Sequence, residues 1–321
     1  MKGRDNINNL IIRQINNTEQ SIDINALIND FYKNIDVNDA TIKTYRKGIK
    51  HFLNWIKDQN IQRIDKSVML SYKKHLQETF KDTTASTYLS GIRNLFNFLE
   101  ELGIPNVMRN IKGIKISKQF RKQPLNRDQT LKVIDNFKLE TLKDYRDFTM
   151  FKLLLFTLRT IEIHRADKTD ITNIGGQFVL KIQGKGKTDK EQYIVLTDDV
   201  LIPLLKYLEL RGDDQYAPLF ISLSSNCYGK RLSTKSISKI VKNVLVSNGY
   251  NSKELTAHSL RHTGITFSLL GGATIQEAKE LSRHADINTT LIYSHNIDRI
   301  GKAPERYIEN YLKGGGNNDK G

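Results

Sequence analysis

From Ile22 to about Gly103 the apolar residues recur at helical spacing throughout. A stretch with that period has to bury one face of each helix against another. Asn38-Asp39 caps a helix through TIKTYRKGIKHFLNWIKDQ, with Tyr45, Ile49, Phe52, Leu53 and Ile56 as its stripe. Asp65 caps a further helix near Lys66 to Phe80. The last begins after Asp82-Thr83, lines up Leu89, Ile92, Leu95, Phe96 and Leu99, and stops at Gly103 and Pro105. Four packed helices make an all-α domain over 22–105, preceded by an Asn-, Gln- and charge-rich flexible arm, 1–21.

Asn106 to Gln123 shows little apolar periodicity and contains Arg109, Lys112, Lys115, Lys118, Arg121 and Lys122. It reads as a basic interdomain linker. A second domain runs over 124–313, with 314–321, GGGNNDKG, as a flexible tail. Its helices are expected near Asn126 to Phe137, Asp144 to Leu158, Asp199 to Leu210 and Lys235 to Val246. The last carries Lys235, Lys239 and Lys242 on its outer face. QFVLKIQ and EQYIVL, joined by GKGKTDK, read as a β-hairpin, and APLFIS as a short strand. APERYIENYLK forms a final helix with Tyr307, Ile308, Tyr311 and Leu312 on one side. The fold class is therefore mainly α with a small antiparallel β-sheet.

The chain has 321 residues, with 50 Lys and Arg against 35 Asp and Glu, a net charge of +15. That balance favours a polyanionic partner, nucleic acid first. Lys43, Arg46, Lys47 and Lys50 share one outer helix face, Lys73 and Lys74 another, and Arg93 stands on the last helix. These are read as phosphate contacts, together with Lys118, Arg121 and Lys122 of the linker. A single cysteine, Cys227, excludes an internal disulfide framework and a multi-Cys zinc site. The apolar run Leu10-Ile11-Ile12 is too short for a signal-peptide core, and none approaches the roughly 20 residues of a membrane span. The expectation is a soluble protein of the cytoplasm, associated with the nucleoid.

Four of the seven histidines fall between Thr256 and His295: His258, His262, His284 and His295. Arg261, Arg283 and Tyr293 lie among them. Ser259 to Leu270 reads as a helix closed by Gly271-Gly272, and residues three apart, His258 and Arg261, share one of its faces. A second helix near Ile275 to Ser282 brings His284 round, and a third short one carries Tyr293. Imidazoles, guanidinium and phenol together suit a phosphate.

HSLRHT followed by LSRHADINTTLIYSH resembles the tyrosine recombinases, the phage-integrase and Xer group. Their pattern is H-x-x-R, then G-H or R-H, then a tyrosine nine residues on, and Tyr293 follows His284 by nine. LRTIEI resembles the family's T-G-L-R-x-x-E box, with Phe156-Thr157 where Thr-Gly is common. The resemblance implies a helical core-binding domain followed by a mixed α+β catalytic domain. It implies a site-specific DNA recombinase, acting in integration, excision or resolution of DNA, of a mobile element by this reading. Tyr293 would be the nucleophile, Arg159 and Arg261 the phosphate clamps, His258 the base and His284 a phosphate-orienting group. Lys185 would be the acid, with Lys187 and Lys190 as substitutes. The product would be a 3′-phosphotyrosine, formed without a cofactor or metal. The partners implied are double-stranded site DNA, a dimer on each site and a tetramer in synapsis, with accessory proteins or a second recombinase left open, as is cis or trans docking of the last helix.

His258 and His262 form H-x-x-x-H, a helical zinc spacing, but Ser259 stands where a zinc hydrolase needs glutamate. A catalytically silent DNA-binding architectural or regulatory protein is the alternative from a different class. A type IB topoisomerase shares the chemistry but fits the motif order less well. His262, His164 and His51 are read as structural.

Overall fold

A computed structural model describes residues 11–12, 24–116, 124–184, 189–296 and 305–313. The chain forms two compact units, Met1–Gln119 and Phe120–Gly321.

The first unit is built from α1 (Ile24–Asn34), α2 (Asp39–Asp58), α3 (Lys66–Thr79) and α4 (Asp82–Glu101). The expected caps are in place: Asn38 accepts from the Thr41 amide, and Asp65 from those of Ser67 and Val68. Ile11–Ile12 (β1) pairs in parallel with Arg63–Ile64 (β2). Phe31, Ile49, Phe52, Met69, Tyr72, Leu89, Ile92 and Phe96 make the core. Burying each such large side chain contributes roughly 1.5–3 kcal/mol. Gly48 lets α2 approach α4 closely, since a Cβ there would sit 3.1 Å from the Tyr88 backbone.

The stretch read as a linker is, over its first half, part of this unit. Met108, Ile111 and Ile114, three apart, are buried in its core. Lys73 donates to the Lys112 carbonyl at 2.8 Å and Arg93 to that of Ile111 at 2.9 Å. These two cations thus hold main chain, whereas Lys43, Arg46, Lys47, Lys50 and Lys74 are exposed. Lys118, Arg121 and Lys122 lie outside the described residues.

The second unit orders α5 (Arg127–Asp135), α6 (Leu142–Leu155), α7 (Thr160–Arg165), a three-stranded sheet, α8 (Asp198–Arg211), α9 (Thr234–Ser247), α10 (Ala257–Leu270), α11 (Ile275–Ser282), α12 (Ile287–Asn296) and α13 (Glu305–Leu312). The sheet is antiparallel, β3 (Ile171–Ile174) to β4 (Gln177–Ile182) to β5 (Gln192–Val195). The hairpin is as expected, and β3 is an addition. Its four residues, Ile-Thr-Asn-Ile, are too few to show alternation. The expected APLFIS strand is only two isolated bridges, Asp167 with Pro218 and Ile221 with Arg231.

The apolar helix α6 is the centre of this unit, packed by α8, α9 and α10. Gly264 permits the α10 crossing: a Cβ there would lie 1.7 Å from the Leu155 carbonyl oxygen. Gly264→Ala is therefore expected to cost about 1–3 kcal/mol by forcing these helices apart. The check is urea unfolding, with a lowered midpoint at unchanged slope. An unchanged midpoint would show that the crossing tolerates the methyl group.

Candidate active site

The chain leaves α6 through Phe156-Thr157 and re-enters a helix at Arg159. Thr157 takes φ = 69°, the left-handed region that glycine enters freely and a β-branched residue enters at roughly 1–3 kcal/mol. Three bonds offset that cost. The Thr157 hydroxyl donates to the Leu281 carbonyl at 2.7 Å, and its own carbonyl accepts from both Arg261 and Arg283. The departure from Thr-Gly thus leaves the turn intact and gives it a side-chain anchor.

Glu162 organises the guanidinium groups. Its side chain is fully buried, and it pairs with Arg159 at 2.7 Å and Arg283 at 3.0 Å. It also accepts from the Arg159 amide at 2.7 Å, closing the first turn of α7. Arg159 keeps a quarter of its side chain exposed and lines an open cleft with Gly184, Gln192, Lys279, Arg283 and His284. Arg261, from α10, is buried and donates to the Thr157 and Ser282 carbonyls. Burial pushes Arg261 down to about 9, with Arg159 and Arg283 pushing the same way and Glu162 and Tyr293 opposing. A guanidinium keeps its proton regardless, so that direction reports first a buried charge and second its like-charged neighbours, both of which an anion relieves.

Arg283 sits at the end of α11 in a left-handed conformation, φ = 53°. The turn delivers His284, whose Nδ1 lies 2.9 Å from the Thr290 hydroxyl. Burial lowers His284 to about 4, reinforced by Arg261, Arg159, Arg283 and His258. It is neutral at pH 7. If Thr290 donates, the His284 proton is on Nε2, the tautomer that can hydrogen-bond a phosphate oxygen.

Tyr293 is 5% exposed. Its ring lies against His284, with centroids 6.1 Å apart, and against His262 at 5.3 Å. The hydroxyl is 2.5 Å from His262 Nδ1. Burial raises the phenol to about 12, while Arg261 and Arg159 pull it down. His258 is exposed, and its ring meets that of His262 edge-on at 4.4 Å.

The sequence-derived residues Arg159, His258, Arg261, His284 and Tyr293 therefore converge. Lys185 and its substitute Lys187 lie outside the described residues. Lys190 is engaged elsewhere, at 2.5 Å from Asp170 and 3.1 Å from Asp167. Burial opposes its charge, but these carboxylates outweigh it and hold the amine above its ordinary value. Two side chains of the site were not assigned from sequence: Arg283, which braces it, and His262, which was read as structural. His164 and His51 do have such roles. His164 Nδ1 faces the Leu232 carbonyl at 2.7 Å, and His51 Nδ1 the Tyr72 hydroxyl at 3.1 Å.

Residues 123–299 match the model of the phage integrase family, and residues 28–103 that of the phage integrase N-terminal SAM-like domain. The tyrosine recombinase XerD of Staphylococcus epidermidis is 30% identical over 283 residues, covering 85% of this chain and 94% of that protein. XerD of Staphylococcus saprophyticus is 34% identical over 187 residues, 57% of this chain and 61% of that one. In fold, the chain is similar to the XerH site-specific recombinase bound to palindromic difH substrate. That match has a TM-score of 0.70 at 20% identity, covering 88% of this chain and 84% of that one. A lambda integrase dimer bound to a COC′ core site matches with a TM-score of 0.64 at 16% identity, covering 87% and 78%. On motif, domain order and site geometry alike, the chain belongs to the phage integrase family, the tyrosine recombinases.

Proposed function

We propose that Tyr293 is the nucleophile with which this site-specific DNA recombinase cuts its DNA. The observation that carries the assignment is the placement of the Tyr293 ring between His262, which directly follows Arg261 on α10, and His284, which shares the cleft with Arg159. A DNA phosphodiester is anionic and gains charge on its equatorial oxygens as an oxygen nucleophile attacks. Fixed guanidiniums aimed at that charge stabilise the transition state more than the ground state. Arg159 and Arg261 take this role, with planar forks suited to two oxygens. His284 donates to the phosphate, and His258, the base that the family pattern implies, stands at the exposed side of the pocket against the His262 ring. Lys185 supplies the leaving 5′ oxygen with its proton, with Lys187 as its substitute, since the contacts of Lys190 tie it to two carboxylates.

The covalent product is a 3′-phosphotyrosine and a free 5′ hydroxyl. Ester is exchanged for ester, so rejoining requires no ATP. Attack by the 5′ hydroxyl of a second duplex gives recombination, and attack by the original one reseals. The test is a nicked duplex bearing a site selected from a randomised pool by binding. Denatured protein should carry the DNA covalently, and protease mapping should place it on Tyr293. An adduct on another residue would reassign the nucleophile.

The partner is double-stranded DNA, with a dimer on each site and a tetramer in synapsis. An apolar groove lined by Leu125, Leu131, Ile134, Leu155, Phe267 and Leu270 opens on the second unit. On α13, Ile308, Tyr311 and Leu312 are 63%, 77% and 78% exposed. Docking of α13 into the groove of a neighbouring protomer would cover both. Ile308→Asp with Leu312→Asp should then leave binding to a half-site intact and abolish assembly on paired sites, read by gel mobility. Unchanged assembly would remove α13 from the interface. The element served is read as mobile DNA.

A further inference from the structure

We propose that His262, in place of His258, is the group that takes the phenolic proton from Tyr293 and holds the hydroxyl in place for attack. The inference rests on the reading of Tyr293 as nucleophile.

His262 stands one helical turn after His258 on α10 and directly after Arg261. Its Nδ1 is 2.5 Å from the Tyr293 hydroxyl, nearer than the roughly 2.7–3.2 Å of an ordinary nitrogen–oxygen hydrogen bond, so the two atoms are in direct contact. The two rings are tilted by 31° with centroids 5.3 Å apart, so the imidazole edge, not its face, meets the oxygen. His258 is more exposed and reaches this pair through an edge-on contact with His262 at 4.4 Å. The order from solvent inward is thus His258, His262, Tyr293.

The chemistry of the phenol makes this contact consequential. A tyrosine of ordinary acidity, about 10, is already protonated at neutral pH, and burial raises this one further. It has to lose its proton as it attacks. A neutral imidazole bearing its hydrogen on Nε2 presents a lone pair at Nδ1. In the forward step the Tyr293 O–H bond breaks and an N–H bond forms at Nδ1. The phenolic oxygen bonds to phosphorus, and the bond from phosphorus to the 5′ oxygen breaks, that oxygen taking its proton from the acid of the site. On rejoining, the 5′ hydroxyl gives its proton back to that acid as its oxygen bonds to phosphorus, the bond from phosphorus to the phenolic oxygen breaks, and the imidazolium returns its proton to the departing phenolate. No oxidant, reductant or further reactant enters.

Two variants separate proton transfer from positioning. Asparagine can present its side-chain oxygen near the place of Nδ1 and accept the hydrogen bond, but it cannot carry the proton. His262→Asn should bind the selected nicked duplex as the wild type does, yet form covalent adduct about 10²–10⁴-fold more slowly, the range of a lost general base. His262→Gly should be equally slow and should regain rate in added imidazole, which a merely structural histidine would not show. Wild-type cleavage by His262→Asn would overturn proton transfer. Slow cleavage by His262→Gly with no response to imidazole would overturn it as well. Tyr293→Phe is assayed beside them. Covalent adduct in that variant would mean that the nucleophile itself had been misassigned. Its absence together with wild-type cleavage by His262→Asn would sink the His262 role alone.

Discussion

Tyr293→Phe binds its DNA site with wild-type affinity and forms no covalent adduct at any time of incubation. The substitution removes one oxygen and keeps the ring, which lies between His262 and His284. The packing of a residue that is 5% exposed is therefore preserved. What is lost is the atom that bonds to phosphorus, so the effect on cleavage is complete rather than partial. Binding draws instead on the surplus of cations, 50 Lys and Arg against 35 Asp and Glu. Gel mobility measures binding, and denaturing electrophoresis of the nicked substrate measures the adduct. A covalent band from the phenylalanine variant would remove Tyr293 from the chemistry.

Glu162→Gln loses about 3–5 kcal/mol of stability, the usual cost of removing one partner from a buried ion pair. The Glu162 side chain is fully buried between Arg159 and Arg283, and Arg261 is already crowded by both of those arginines. An amide there leaves the guanidiniums facing one another without the carboxylate. It also frees Arg159 from the side chain that fixes its direction. Strand cleavage should accordingly fall about 10²–10³-fold, as when an oxyanion-hole donor is lost. Chemical unfolding and single-turnover cleavage check the two effects separately. A variant as stable and as fast as the wild type would show that Glu162 does not brace the arginines.

The residues most readable in the sequence were those whose spacing is the message. His258 and Arg261 share a helix face, and Tyr293 follows His284 at the family interval. The apolar stripes of α2 and α4 were equally plain, because a long amphipathic helix repeats its signal several times. His262 was hidden by its surroundings: it lies on an apolar helix, where a histidine is ordinarily structural, and its partner is 31 residues away. Arg283 looked like one more cation until the chain folded its side chain onto Glu162, 121 residues earlier. The first half of the basic stretch after α4 reads as a linker because Arg109, Lys112 and Lys115 are interleaved with its anchors. Met108, Ile111 and Ile114 nonetheless carry a helical interval that a stricter reading of spacing would have caught. Strand β3 has four residues, and its pairing with β4 depends on a neighbour that no local pattern can announce.

The peptide at Thr157 has a consequence for how this molecule breathes. Its carbonyl is shared by arginines from two later segments, and its hydroxyl is tied to Leu281. The entry to α7, the middle of α10 and the end of α11 are thereby knotted at one residue. None of the three can loosen by itself, because releasing one strips partners from the other two. Their amides should exchange with solvent together, as a single cooperative opening, and the cleavage machinery is either wholly assembled or wholly undone.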